Sequence, residues 1–222
     1  MDIVSSSQSG VEIQVGLVDS IIDLLLISPI FLLGIVLIGI LLTIIFRKDS
    51  SIPRVKTSIL SLVLYYYLCI MLTHIVGIPT LGEYIRLSQL GEAFFNPNLN
   101  LIPFSDGFSL SYILNIFLFI PLGFLSPLIS KTFERVRNTF FIGLGLSLFI
   151  EIVQLFTLYR ATDVDDILTN VAGTMIGYFG FRLIAKLRTA KLYSSQKTTK
   201  RDYTAYLPIV IIIIAFVLGF FS

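Results

Sequence analysis

The chain is a series of long apolar runs broken by short polar segments. The runs extend from about Ile21 to Phe46, Ser58 to Gly77, Leu110 to Ile129, Asn138 to Leu158 and Val164 to Leu183. About 20 residues, at ~1.5 Å of rise each, carry a helix across the ~30 Å hydrocarbon layer of a bilayer, so the pattern predicts five crossings. A last run, Tyr206 to Phe221, is almost purely apolar and makes a sixth crossing plausible at the lower limit of length.

The interruptions refine these elements. Pro29 falls in the first third of the first run, where it should kink the helix or mark its effective start. Pro121, mid-way along the third run, removes a backbone donor and implies a bend whose freed carbonyl must be satisfied by a neighbouring group. The longest connection, Ile78 to Ser109, contains Gly82, Gly91, Pro97 and Pro103, with Tyr84, Leu87, Leu90 and Phe94 spaced as one helical face. That face, with its aromatic residues, should lie on the membrane surface. The segment from Arg182 to Arg201 is too basic to cross.

Composition agrees with the pattern. Of 222 residues, 55% are hydrophobic and only 14% charged, and the mean hydropathy is +0.91, which is too little polar surface to enclose a soluble globule. The expected class is an all-α integral membrane protein, a bundle of about six transmembrane helices that is multi-pass in the cell membrane with the lipid bilayer as its constant partner. No interleaving of basic and aromatic residues suggests nucleic acid. The single cysteine, Cys69, cannot form an intramolecular disulfide and reads as a packing residue. The first twenty residues carry Asp2, Glu12 and Asp19 but no lysine or arginine, so no signal-peptide n-region is expected.

Charge placement then orients the bundle. The segments after the first, third and fifth runs hold 14 of the 16 lysines and arginines, among them Arg47, Lys48, Arg54, Lys56, Lys131, Arg135 and Arg137. Those segments belong in the cytoplasm, which leaves both termini outside. Only Arg86 and Arg160 are cations on the outer side, facing an excess of acids.

Polar residues inside apolar runs are the candidate chemistry, because a charge held in a bilayer is costly and suggests function by default. Glu151 and Gln154 lie one helical turn apart, while Asp166, Asn170, Gly173 and Gly177 recur on one face of the next helix. Counted from the outer ends of their spans, Asn115, Glu151 and Asn170 share a depth of roughly 8 to 11 Å at ~1.5 Å per residue. If the three helices touch, these groups form an outward-facing polar pocket in which Glu151 accepts hydrogen bonds from the amides of Asn115, Gln154 or Asn170 and can bind or exchange a proton.

Several of these features have an equally simple structural reading. Asn115, Gln154 and Asn170 serve equally as interhelical hydrogen-bonding glue, and Gly173-x-x-x-Gly177 permits close helix approach. Thr162 or Asp163 can cap the fifth helix, with Asp165 or Asp166 completing a capping box beside the helix dipole. Alternatively Asp163, Asp165 and Asp166 supply oxygen ligands to a divalent cation or clamp a polar headgroup, although their spacing is not that of an EF-hand loop. Arg160 beside them could hold a phosphate, a carboxylate or one aspartate.

The motifs together resemble the VanZ-like family of bacterial membrane proteins. The resemblance is carried by Asn100-Leu-Ile-Pro-Phe104, Asn115-Ile-Phe-Leu-Phe-Ile-Pro-Leu-Gly-Phe124, Ser147-Leu-Phe-Ile-Glu-Ile-Val-Gln-Leu155, and Asp163-Val-Asp-Asp166 through Asn170, Gly173 and Gly177. It covers roughly residues 57 to 185, a four-helix membrane core. That core is flanked by an outer tail, first helix and cytoplasmic loop over residues 1–56, and by a basic segment and terminal helix over residues 186–222. The resemblance implies a part in low-level resistance of Gram-positive bacteria to lipid-bearing glycopeptides such as teicoplanin.

The expected mechanism is capture of a lipophilic or lipid-linked cell-wall ligand by Asn115, Glu151, Gln154, Arg160, Asp163, Asp165, Asp166 and Asn170, which would reduce drug access to the cell-surface target. One alternative is a membrane enzyme acting on an outer-leaflet lipid or cell-wall precursor. Glu151 or Asp166 would then be its catalytic residue, and a divalent cation its cofactor. Another is a structural protein whose polar residues only join helices.

Overall fold

The computed structural model describes residues 28–92, 95, 99–100, 102–104, 107, 109–157, 162–192 and 202–222, excepting the side chains of residue 99 and residues 188–192. Arg160, Phe94, Pro97 and the start of the first apolar run lie outside the described residues. Among the described residues seven α-helices follow one another: α1 (Phe31–Lys48), α2 (Arg54–Ile70), α3 (Leu81–Leu90), α4 (Leu110–Ile129), α5 (Val136–Gln154), α6 (Val164–Leu192) and α7 (Leu207–Phe220). A π-helical turn, Met71–Val76, prolongs α2, and two short strands, β1 (Leu99–Asn100) and β2 (Thr162–Asp163), pair in parallel. Five stretches, beginning at Phe31, Arg54, Leu110, Val136 and Val164, are long and apolar enough to cross a membrane. α7 has 14 residues, ~21 Å of helix, and is a shorter apolar helix.

Local chemistry sets the helix ends. Pro29 lies in the turn before α1 rather than inside it, with the Phe31 N–H bonded to the Ser28 carbonyl at 3.0 Å. The chain leaves α2 through its π-helical turn and then Gly77, whose φ of +65° a side chain would resist. Thr80 caps α3, accepting the Glu83 N–H at 3.3 Å, and α3 ends at left-handed Gly91. Leu87 is buried on α3 and Leu90 is exposed, while Tyr84 meets the Phe220 ring at 5.9 Å. The segment is therefore packed against the end of α7 as well as open to its surroundings. α6 runs on to Leu192, beyond the expected end near Leu183. Its basic extension is rich in Leu, Ala, Lys and Arg, strong helix formers that need no membrane to stay helical.

The core joins α1, α2 and α7 to α4 and α5 through buried Ile38, Leu64, Leu68, Phe119, Leu122, Ile150 and Ile211. α4 and α6 meet along their backbones. A Cβ on Gly173 would overlap the Ile116 carbonyl, one on Gly177 the Ile120 carbonyl, and one on Gly123 the Thr174 carbonyl. This small-residue seam, with both helices running in the same direction, fixes the start of α6 beside the start of α4. Pro121 lies within a continuous α4, and the Leu118 carbonyl just before it accepts the Tyr67 hydroxyl.

The two ends of the bundle differ in charge. The basic end carries Arg47, Lys48, Arg54, Lys56, Lys131, Arg135 and Arg137 at the α1–α2 and α4–α5 turns, and a cleft there joins these turns and the approach to α7, bringing Asp49, Lys56, Lys131, Glu134 and Asp202 together. Asp202 ties this end: one carboxylate oxygen accepts Ser130 Oγ at 2.9 Å, Thr132 N at 3.1 Å and Thr132 Oγ1 at 2.9 Å, and the other accepts Thr204 N at 3.0 Å and Thr204 Oγ1 at 2.6 Å. Burial pushes its carboxyl up, but the Thr204, Ser130 and Thr132 hydrogen bonds outweigh that and hold it below the ordinary 3.8. The opposite end carries the starts of α4 and α6 and the acids between them.

Candidate functional site

The site is built on the first turn of α6. Asp163 is the N-cap, its Oδ1 accepting the Asp165 N–H at 2.9 Å. In an ordinary capping box the acid three residues on reaches back to the N-cap N–H. Here Asp166 holds that position but accepts Asn115 Nδ2 at 2.7 Å from α4. The return arm comes instead from α5, where Glu151 Oε2 accepts the Asp163 N–H at 3.0 Å. Thr162 Oγ1 also donates to the Glu151 carbonyl at 3.1 Å. Glu151 is therefore a cap supplied from another helix, which accounts structurally for an acid that is only 2% exposed.

Asp165 faces inward and is fully buried. Both its oxygens accept the Phe104 N–H at 3.0 Å, and Oδ2 also accepts the Tyr112 hydroxyl at 2.7 Å. This clamp, together with the pairing of Leu99 with Thr162 and Asn100 with Asp163, straps the stretch leading to α4 across the start of α6. Phe104 takes a left-handed φ of 57°, uncommon for a bulky residue, and its exposed ring stands edge-on to Tyr112 at 5.8 Å. The Asn100 amide approaches Asp163 Oδ2 at 3.4 Å, a long contact.

Below this turn, Asn170 donates to Ser147 Oγ at 3.0 Å between α6 and α5. Among the described residues, three buried side-chain oxygens have no hydrogen-bond partner: Ser61 Oγ, Gln154 Oε1 and Asn170 Oδ1. The last two belong to the α5–α6 seam, each on a residue 4% exposed. Asp163, Asp166 and Asn115 are half-buried, so they form the accessible rim over a buried floor of Glu151, Gln154, Asp165 and Asn170.

The structure thus brings seven of the eight expected residues to one end of the bundle, while Arg160 lies outside the described residues. The pairing differs from expectation: Asn115 serves Asp166, and Asn170 serves Ser147. Tyr112, Ser147 and the Phe104 amide were not anticipated, and Thr162, expected as a possible cap of the fifth helix, donates instead to the Glu151 carbonyl. Tyr112 and Asn115, and likewise Ser147 and Glu151, are one turn apart, a spacing that would have found both. The aspartates point to separate partners. Among the described residues no three His, Cys, Asp or Glu side chains form a group able to hold a metal ion. That donor set does not fit a divalent cation. What the rim offers is an acceptor and a donor side by side, suited to a ligand with hydroxyl or amide groups.

Residues 59–185 match the VanZ/LLP1 family model, a span that runs from α2 into α6 and contains every site residue named above from Tyr112 to Asn170. Over 87 residues the sequence is 37% identical to Protein VanZ of Enterococcus faecium, covering 39% of this chain and 52% of that relative. The alignment thus spans about half the length of the curated relative. No solved structure matches the chain.

Proposed function

The chain belongs to the VanZ/LLP1 family, and from that premise we propose that it lowers the susceptibility of a Gram-positive cell to teicoplanin-type lipoglycopeptides. It does so by binding a lipophilic or lipid-linked cell-wall ligand at the acid end of the bundle and limiting drug access to the surface target. The observation that carries this reading is the half-exposed Asn115–Asp166 pair, bonded at 2.7 Å over a buried polar floor with unused acceptors on Gln154 and Asn170. A bundle needing only internal glue has no use for that surplus, because each unpaired buried group costs about 1–3 kcal/mol.

In this reading α7 is a sixth crossing, the basic end faces the cytoplasm and both termini lie outside in the cell membrane. Residues 57–185 carry the activity, with 1–56 and 186–222 as flanking parts. The Glu151 and Asp165 carboxylates hold the site together, and Asp166, Asn115 and Asp163 meet the ligand.

The test is susceptibility to teicoplanin in a strain lacking the protein and complemented with Asp166→Asn, Asn115→Ala or Glu151→Gln, with membrane abundance measured beside it. Asp166→Asn and Asn115→Ala should return the strain to full susceptibility at undiminished abundance, and labelled teicoplanin on the cell surface should rise to the level of the deletion strain. Glu151→Gln should lower abundance together with resistance. Resistance that survives both rim substitutions would sink the proposal.

A further inference from the structure

A second site lies on the opposite side of α5 from the polar seam. α5 and α7 diverge around a cleft of about 580 Å³, within the ~300–1,000 Å³ typical of ligand sites. Phe141, Gly145 and Phe149 form its α5 wall at intervals of four residues, and Ile209, Ile213 and Phe216 form its α7 wall. Gly145 is what opens it, since a Cβ there would meet nothing within 4 Å. Phe149 and Phe216 close the far end, their rings 4.5 Å apart.

The cleft's length is informative. From Asn138 at the mouth to Phe149 at the closed end is eleven residues of helix, about 16 Å, or half the ~30 Å hydrocarbon layer. A partner helix would need a face running the full depth; this slot runs one leaflet. Its mouth lies at the basic end, where Thr132, Asn138 and Tyr206 line it; exposed Lys131 adjoins Thr132, exposed Arg137 in the first turn of α5 adjoins Asn138, and exposed Arg135 lies between them in the chain. An apolar slot one leaflet deep, with cations adjoining the residues that line its mouth, matches one class of molecule.

We propose that the α5–α7 cleft is a binding site for an anionic glycerophospholipid, one acyl chain lying between Phe141, Gly145 and Ile213 and the phosphate held by Lys131, Arg135 and Arg137. The slot replaces helix–helix packing that α5 and α7 lack there, and the cations select the headgroup, since a basic residue near a membrane surface favours an anionic lipid by roughly five-fold in binding. This site is independent of the acid-end reading and does not require it.

The chain contains ten tyrosines but no tryptophan, so Phe141→Trp introduces a single tryptophan at the slot, excited selectively at the red edge of the tyrosine band. The full-length protein is reconstituted in phosphatidylcholine vesicles containing brominated phosphatidylglycerol or brominated phosphatidylcholine. Half-maximal quenching should need at least about five-fold less of the anionic lipid, the preference one engaged cation gives. Ile40→Trp, on an exposed face of α1 away from the cleft, should show no preference. Adding Gly145→Phe to Phe141→Trp should fill the slot and remove the preference, with helicity and gel-filtration behaviour unchanged. The triple exchange Lys131→Gln, Arg135→Gln and Arg137→Gln leaves the slot open and should remove the selectivity alone; it decides the matter if Gly145→Phe does not fold. Equal quenching by both lipids, a preference surviving the triple exchange, or quenching relieved by raising protein density as a second copy covers the cleft would each overturn the proposal.

Discussion

Asp165 at the acid end and Asp202 at the basic end each fasten a loop by collecting backbone and hydroxyl donors on one carboxylate. Asp202 receives its five bonds from three residues, Ser130, Thr132 and Thr204, and Lys56, Lys131 and Glu134 in the cleft around it are exposed. Asp165 receives Phe104 and Tyr112 and is surrounded by polarity that the fastening does not use: half-buried Asp166 with Asn115, and spare oxygens on Gln154 and Asn170. The basic end shows what holding two loops together requires. The excess over that requirement at the acid end is the argument for a site there.

The largest way to break the comparison is to separate the helices that create the acid end. Gly173→Val would drive a branched side chain into the Ile116 carbonyl, and backbone overlap of this kind belongs with the exceptional losses of more than about 4 kcal/mol. Folded protein recovered in detergent should fall close to zero. Gly145→Ala, which meets nothing within 4 Å, should change the melting temperature by no more than the equivalent of about 0.5 kcal/mol. Comparable yields of the two variants would mean that the α4–α6 seam does not set the acid end.

Next in size is the clamp itself. Asp165→Ala removes the carboxylate that accepts the Phe104 N–H and the Tyr112 hydroxyl, and a hydrogen bond to a charged group contributes roughly 1.5–3 kcal/mol. Tyr112→Phe removes one of the two and should cost less. Hydrogen exchange reads the difference directly: the Phe104 amide should lose protection in Asp165→Ala and keep most of it in Tyr112→Phe. An unprotected Phe104 amide in the unaltered protein would dissolve the clamp.

The basic end should respond to acid. Because the folded Asp202 carboxyl lies below its ordinary 3.8, its contribution is fully present above that value and is lost as pH falls through the lower folded value. Asp202→Asn should therefore lower the melting temperature at pH 7 and leave it nearly unchanged at the acid limit, where the native carboxyl is also protonated. An equal deficit at both pH values would assign the effect to packing rather than charge.

These contrasts follow the line between what residue order reveals and what it does not. The apolar runs located the helices long enough to cross a membrane because a bilayer demands length, and Gly173 and Gly177 announced close packing because only small residues permit it. The face shared by Asp166 and Asn170 was visible from helical periodicity. Periodicity gives a face but no partner, so that Asn115 would meet Asp166 and Glu151 would reach the Asp163 backbone lay beyond it. The backbone amide of Phe104 could not be read at all, since every residue but proline carries one. Hydropathy also ended α6 near Leu183, whereas the helix runs on to Leu192.

The smallest effect on stability should be the one that matters most for the site. Asn115 and Asp166 are half-buried, and an interhelical hydrogen bond in a membrane protein averages only about 0.6 kcal/mol. Asn115→Ala should therefore melt within about 2 °C of the unaltered protein, as a loss of that size does in a chain of this length, and accumulate to the same level. If the surplus polarity of the acid end serves a ligand, this nearly silent change should still abolish teicoplanin resistance. If it serves packing, resistance should track abundance and remain. Asp202→Asn supplies the matching control, since it is expected to lower stability more than Asn115→Ala while leaving resistance in proportion to the protein that survives. A variant more stable but less active than its counterpart at the other end would separate the two roles that one residue type plays at the two ends.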